Sequence, residues 1–195
     1  MSHRVGLDQA TVVEAAAKLV DEEGIEQLTL VRLAEKLGVR TPSLYNHVAG
    51  LPGLKRYLAL YCLRDLLDRI LHATVGKSRT EAIVALANAY RAYARDTPGR
   101  YAFTLQAPDL GDQELQAIAQ QIVDVLRAVL APYRLSEEEA IHAIRGLRSL
   151  VHGFSSLEAA GGFGMPVDLD ASFHWLITLF IAGLHRSTVT NEQKT

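Results

Sequence analysis

The segment GVRTPSLYNHVAG, residues 38–50, places six hydrogen-bonding side chains within eight positions: Arg40, Thr41, Ser43, Tyr45, Asn46 and His47. Helix interiors reject proline and cores reject Asn beside His, so a run containing Pro42 and Asn46-His47 belongs at a surface. The chemistry open to it is recognition. Hydroxyls and backbone N–H groups at a helix start suit phosphate oxygens, and Asn46 and Arg40 carry donors that can read base edges. Bond-breaking chemistry finds little support: the chain has no Gly-rich phosphate loop, no His-Glu-x-x-His pair and no Cys/His cluster at metal-ligand spacing. No catalytic residue, metal or cofactor is expected.

Presenting such a face requires helices on both sides of a tight turn. Val12, Ala16, Leu19 and Val20 form one face of a first helix running from about Asp8 to Gly24. Thr29 is a good N-cap for a second, which carries Leu33, Ala34 and Leu37 and is stopped by Gly38, a residue free to take the positive φ of a sharp turn. Pro42 suits the first turn of a third short helix, where its missing N–H would be unpaired anyway. Ala34 is small where two helices must cross, and Leu33, Leu37, Val39 and Leu44 can close a miniature core. This is helix-turn-helix spacing, with the later helix offered to a major groove.

The stretch AGLPG, residues 49–53, is expected to break the chain. Beyond it, apolar residues recurring at three and four predict helices over about 54–71, 80–95, 112–130, 136–160 and 169–185. A turn is expected at Asp96–Gly99, then a short segment around 101–105. Ser136 with Glu139 reads as a capping box. No segment sustains strand alternation, so the fold class is all-α. The expected organisation is a three-helix DNA-binding domain, residues 1–52, followed by a larger helical effector-binding and dimerisation domain, residues 53–195, about nine helices in all.

Charge supports the same surface. The 195-residue chain is 49% hydrophobic with a formal net charge of −2. From Gln27 to Tyr57, however, Arg32, Lys36, Arg40, Lys55 and Arg56 face only Glu35, a local net of +4 of the kind that meets anions. Cys62 is the only cysteine, so no intrachain disulfide can form. The N-terminus lacks the apolar run of a secretory leader, and Trp175–Leu184 is shorter than the roughly 20 residues of a membrane span. A cytoplasmic protein with no membrane partner is expected.

TLVRLAEKLGVRTPSLYNHV resembles the N-terminal domain of the tetracycline-repressor (TetR) family of bacterial transcription regulators, through Leu33, Ala34, Gly38, Val39, Leu44, Tyr45 and His47. The resemblance implies a homodimer that binds a palindromic operator in double-stranded DNA and represses transcription until a small molecule, of unknown identity, enters the C-terminal domain. Tyr45 and His47 match positions that commonly contact phosphates; Thr41, Pro42, Ser43 and Asn46 match positions used for operator contacts. Thr29, Arg40 and Lys55 complete the set expected at DNA. One departure stands out: the family's Lys just beyond the recognition helix is Leu51 here, leaving Lys55 or Arg56 to replace it. LVHGFSSLEAAGGFGMP further resembles a subgroup marked by a Trp-His-Gly signature, with His152 and Gly153 present and Val151 at the Trp position.

In the predicted 136–160 helix, Gly146, Ser149, Gly153, Ser156 and Ala160 recur at three and four, a small-residue stripe that admits another helix. The last helix is apolar almost all round. The expected dimer interface is therefore Gly146, Ser149, Gly153 and Ser156 with Phe173, Leu176, Ile177, Phe180 and Leu184. Candidates for lining an effector cavity are Tyr61, Tyr90, Tyr93, Tyr101, Phe103 and His152, although aromatics at helical spacing are more often core. The rival to a DNA-binding repressor is an all-α protein that binds or sequesters a small molecule without operator-specific DNA binding.

Overall fold

A computed structural model of the chain describes residues 7–192, and side chains as far as His185; Met1–Gly6, part of the N-terminal stretch read above for a leader, lie outside it. Among the described residues every regular element is helical: α1 Gln9–Glu23, α2 Leu30–Leu37, α3 Thr41–Leu44, α4 Gly50–Thr74, α5 Arg79–Asp96, α6 Pro98–Ala102, α7 Gln113–Leu130, α8 Glu137–Ala159 and α9 Leu169–Glu192. None of these is long and apolar enough to cross a membrane. By packing they form two units, one made of the chain up to Asp65 with Thr97–Ile118, the other of Leu66–Asp96 with the chain from Ala119. The packing division thus lies elsewhere than residues 52/53: the first 16 residues of α4 belong to the first unit, and Thr97–Ile118 returns to it.

In the first unit local chemistry sets the helix ends. Asp8 caps α1 by accepting from the Thr11 N–H, and Thr29 caps α2 by accepting from the Arg32 N–H. Gly38 ends α2 in the left-handed region at φ 66°, and Pro42 sits in the first turn of α3. The core between these helices holds Val12, Leu19, Leu33, Ala34, Leu44, Leu54, Leu58 and Cys62, all buried. AGLPG does not break the chain. Its Gly50 takes φ 67° and α4 starts there, with Pro52 in the first turn, a place that needs no N–H. The short segment expected at 101–105 lies a few residues earlier, because Pro98 of the expected DTPG turn opens α6 instead.

α6 packs directly on α1. A Cβ on Gly99 would overlap the Val20 carbonyl and lie 2.7 Å from the Asp21 nitrogen, so only glycine lets the two backbones meet. Next to it the Arg100 N–H and Nε donate to the two Asp21 carboxylate oxygens at 2.9 and 2.6 Å, while Nη1 reaches Asp65 on α4 at 2.7 Å.

The second unit is organised around α5, which packs on α8 and α9. Ile83, Leu86, Ala87 and Tyr93 are buried on α5, Leu147, Val151 and Phe154 on α8, and Phe173, Ile177 and Ile181 on α9. The capping box is present, with Ser136 Oγ accepting from the Glu139 N–H and Glu139 accepting from the Ser136 N–H. Arg91, 6% exposed, ties the three helices. Its fork donates to Glu158 on α8 at 2.9 and 2.5 Å and to Asp170 on α9 at 2.8 Å, with the guanidinium carbon 5.0 and 4.8 Å from the Phe154 and Phe173 ring centres. These carboxylates push the guanidinium pKa up against the effect of burial.

Removing Arg91 strands Glu158, whose side chain is 17% exposed, while exposed Asp170 returns to water. Arg91→Ala is therefore expected to lower stability by about 3–5 kcal/mol, measured by urea unfolding. Gly99→Ala is expected to cost about 3 kcal/mol or more by the same measurement, because two backbones must separate to admit one methyl group.

Candidate nucleic-acid interface

The turn glycine and the core beneath it push the polar run outward. Leu44 and Val48 are buried, and between them the chain leaves α3 in a turn at Tyr45–His47. Tyr45 is 60% exposed although it is aromatic and flanked by core, so nothing within the unit claims its ring. Arg40, Pro42 and Asn46 are exposed, and Thr41, Ser43 and His47 are half-buried. All seven lie on one continuous stretch after the turn. The other end is fixed by a contact that sequence reasoning missed: Gln9 Nε2, at the start of α1, donates to the His47 carbonyl at 3.1 Å. A bond across 38 residues leaves no local signal. Thr29 is exposed, and its hydroxyl oxygen already accepts the capping bond from Arg32.

The local positive charge is largely spent within the protein. Arg32 Nε and Nη2 donate to Glu23 at 2.8 and 2.9 Å, and Nη1 reaches Glu35 at 3.2 Å. This pairing holds the Glu23 carboxyl below its ordinary range. Lys36 pairs with Glu22. Arg56 forks onto Asp112 at 2.5 and 2.8 Å and reaches Glu114 at 3.1 Å, which depresses the Asp112 pKa. Of the five cations counted in the sequence, only Arg40 and Lys55 have no carboxylate partner among the described residues. Arg56 is thereby tied to the start of α7, whereas Lys55 keeps its charge free of any carboxylate among the described residues. Leu51, at the position of the family's lysine, is half-buried against the core of the first unit.

The six aromatic and histidine candidates for an effector cavity divide between the units. Tyr61, Tyr101 and Phe103 belong to the first, with Tyr101 buried, Tyr61 half-buried and its phenol pKa raised by that burial. In the second, Tyr93 is fully buried beneath the Arg69 guanidinium, 5.1 Å from its ring centre, and is core; Tyr90 and His152 are half-buried.

The expected interface residues also separate. Phe173, Ile177 and Leu184 are buried in the second unit of this single chain, so they fill its core and offer no surface to a second copy. Leu176 and Phe180 are half-buried, and Phe180 lies 3.5 Å from where a Gly146 Cβ would stand. Gly146, Ser149 and Ser156 are exposed, and a Cβ on half-buried Gly153 would meet nothing within 4 Å. On α9 the outward apolar face is instead Ala171, Trp175, Leu179 and Ala182, spaced at four, four and three, with Trp175 62% exposed. That periodicity was available in the sequence, but a helix apolar all round conceals which of its faces is outermost.

A helix-turn-helix with its polar run outward, in an otherwise all-helical chain, defines the class of DNA-binding transcription regulators. Comparison with known proteins narrows the class. Residues 83–180 match the family model described as tetracyclin repressor-like, C-terminal domain. The chain is 38% identical to an uncharacterized HTH-type transcriptional regulator, YobS, of Bacillus subtilis, over 94% of this chain and 96% of that one. It is 36% identical to an uncharacterized HTH-type transcriptional regulator of Mycobacterium tuberculosis, over 93% of this chain and 84% of that one. Among solved structures it superimposes with a TM-score of 0.69 and 25% identity on a TetR variant from Acinetobacter baumannii in complex with minocycline, covering 93% of this chain and 98% of that one. The chain belongs to the TetR family of transcriptional regulators.

On the expectation that Arg40 and Lys55 of each of two heads lie at DNA, about four unpaired cations displace counterions, and log K against log salt should fall with a slope of about −4. Lys55→Gln is expected to flatten that slope by about 2 and to weaken all DNA sequences alike, measured by fluorescence anisotropy across a salt series.

Proposed function

We propose that the protein is a homodimeric repressor that binds a palindromic operator through the 38–50 segment and leaves it when a small molecule binds. The exposure of Tyr45, an aromatic residue held outward on a packed head, carries this reading. Thr41, Tyr45, His47 and Lys55 hold phosphates; Arg40, Ser43 and Asn46 read bases; Thr29 and Pro42 sit at the edge of the same contact. In this division of roles residues 1–52 meet DNA and residues 53–195 carry dimerisation and effector binding. A palindrome presents two half-sites about one helical turn apart, roughly 34 Å, and two heads must match that spacing. An effector acts by favouring a different spacing through its unequal affinity for the two states.

The second copy seats on the outward face of α8 and α9, where Gly146, Ser149, Gly153 and Ser156 allow close approach and Trp175 and Leu179 supply apolar area. Tyr90 and His152 are the candidates left for an effector site in the second unit. A DNA partner implies a cytoplasmic location, and no catalytic role is assigned. The second reading, a small-molecule-binding protein without operator-specific DNA binding, is favoured by the pairing of Arg32, Lys36 and Arg56 with acids, which weakens the pull on DNA.

A gel shift on the intergenic DNA beside the protein's own gene separates the two. Wild-type protein should retard it, and Tyr45→Ala should weaken binding at least about tenfold, the loss of one good phosphate contact, while remaining dimeric. Unchanged affinity in that variant would remove Tyr45 from the contact. In sedimentation, Trp175→Glu should convert the dimer to monomer; a dimer that persists would place the interface elsewhere.

A further inference from the structure

The first unit contains a cleft of about 290 Å³ that shares only Lys55 with the residues proposed to meet DNA. One wall is a stripe of α4, Lys55, Ala59 and Leu63, recurring every four residues; Ile25, after α1, and Phe103, after α6, also line it. Leu63 is buried and Ile25, Ala59 and Phe103 are half-buried, so one wall of the cleft is apolar, while Lys55, Gln106 and Asp109 make the rest polar. The exposed residues include Lys55 and Asp109. Asp109 is held in its turn by accepting from the Gly111 N–H at 2.8 Å. Lys55 has no carboxylate partner among the described residues, unlike Arg56 and Arg64 on the same helix, which pair with Asp112 and Glu114. The volume lies at the lower end of small-molecule sites, about 300–1,000 Å³.

An apolar wall beside one ammonium without a carboxylate partner is matched by an amphipathic monoanion. We propose that this cleft binds a small monocarboxylate, its hydrocarbon body against Leu63 and Phe103 and its carboxylate on Lys55 Nζ. The consequence for regulation rests on the DNA reading above, in which Lys55 holds an operator phosphate. A carboxylate bound in the cleft neutralises the Lys55 charge and draws its ammonium toward the cleft, so an occupied cleft weakens the hold of Lys55 on DNA. This competition acts within the head and requires no change in the spacing of two heads.

The test is an NMR chemical-shift titration of the full-length, DNA-free protein with hexanoate, and separately with hexylammonium and hexanol. Hexanoate alone should give saturable shifts, in the millimolar range and centred on Ala59, Leu63 and Phe103. Lys55→Gln should weaken it about tenfold, the loss of one charge-assisted hydrogen bond. Ala59→Leu, which fills the cleft and keeps Lys55, should abolish saturation. Equal binding of hexanol or hexylammonium, indifference to Lys55→Gln, or shifts centred elsewhere would overturn the site. A second measurement adds hexanoate to the DNA complex: wild type should release DNA and Ala59→Leu should not. Equal release from both would overturn the competition, whereas DNA that never binds would remove the DNA reading and leave the cleft judged by the NMR result.

Discussion

The head depends on a contact with no clearance, where α6 rests backbone against backbone on the last turn of α1. Gly99 allows the approach, since any Cβ there would overlap the Val20 carbonyl. Arg100 then secures it by bridging Asp21 on α1 and Asp65 on α4. All three ionic groups are mostly withdrawn from water, with side-chain exposures of 16–24%, so their attraction is screened less than that of a surface pair. α1, α4 and α6 are therefore held as one body, and α1 in turn fixes the recognition segment through Gln9 and the buried Leu44. The polar run can present Tyr45 to solvent because these contacts, and not its own side chains, hold the backbone.

Electrostatics set a balance that the residue count conceals. Arg32, Lys36 and Arg56 give their charge to acids within the first unit, stiffening α1–α2 and α4–α7 at the expense of attraction for phosphate. Arg40 and Lys55 keep theirs. A head with so few uncommitted cations gains little sequence-independent affinity, so its grip on DNA must come from hydrogen bonds that require the right geometry. In the proposed reading the same scarcity makes Lys55 a point of control, because a single ammonium supplies a large share of the remaining attraction.

What the sequence made legible was local. Asp8, Thr29, Gly38, Pro42 and the Ser136–Glu139 pair each act within four residues, and each ends or starts a helix where that chemistry predicts. AGLPG misled because proline and glycine break a helix interior but suit its first turn. Contacts across long separations were invisible: Arg91 reaches Glu158 and Asp170 over 67 and 79 residues, and Arg100 reaches Asp21 over 79. The last helix shows the limit of periodicity. Apolar on nearly every face, α9 could not reveal that Phe173 and Ile177 point into the core while Trp175 and Leu179 face outward.

The central claim is that the outward polar run reads a two-fold symmetric DNA site. Selection of binding sequences from a random duplex library with the purified protein tests it most directly. Enrichment of an inverted repeat whose half-sites lie about 10 base pairs apart, centre to centre, is the predicted result. A library that shows no enrichment, or enriches a single unrepeated site, would contradict it.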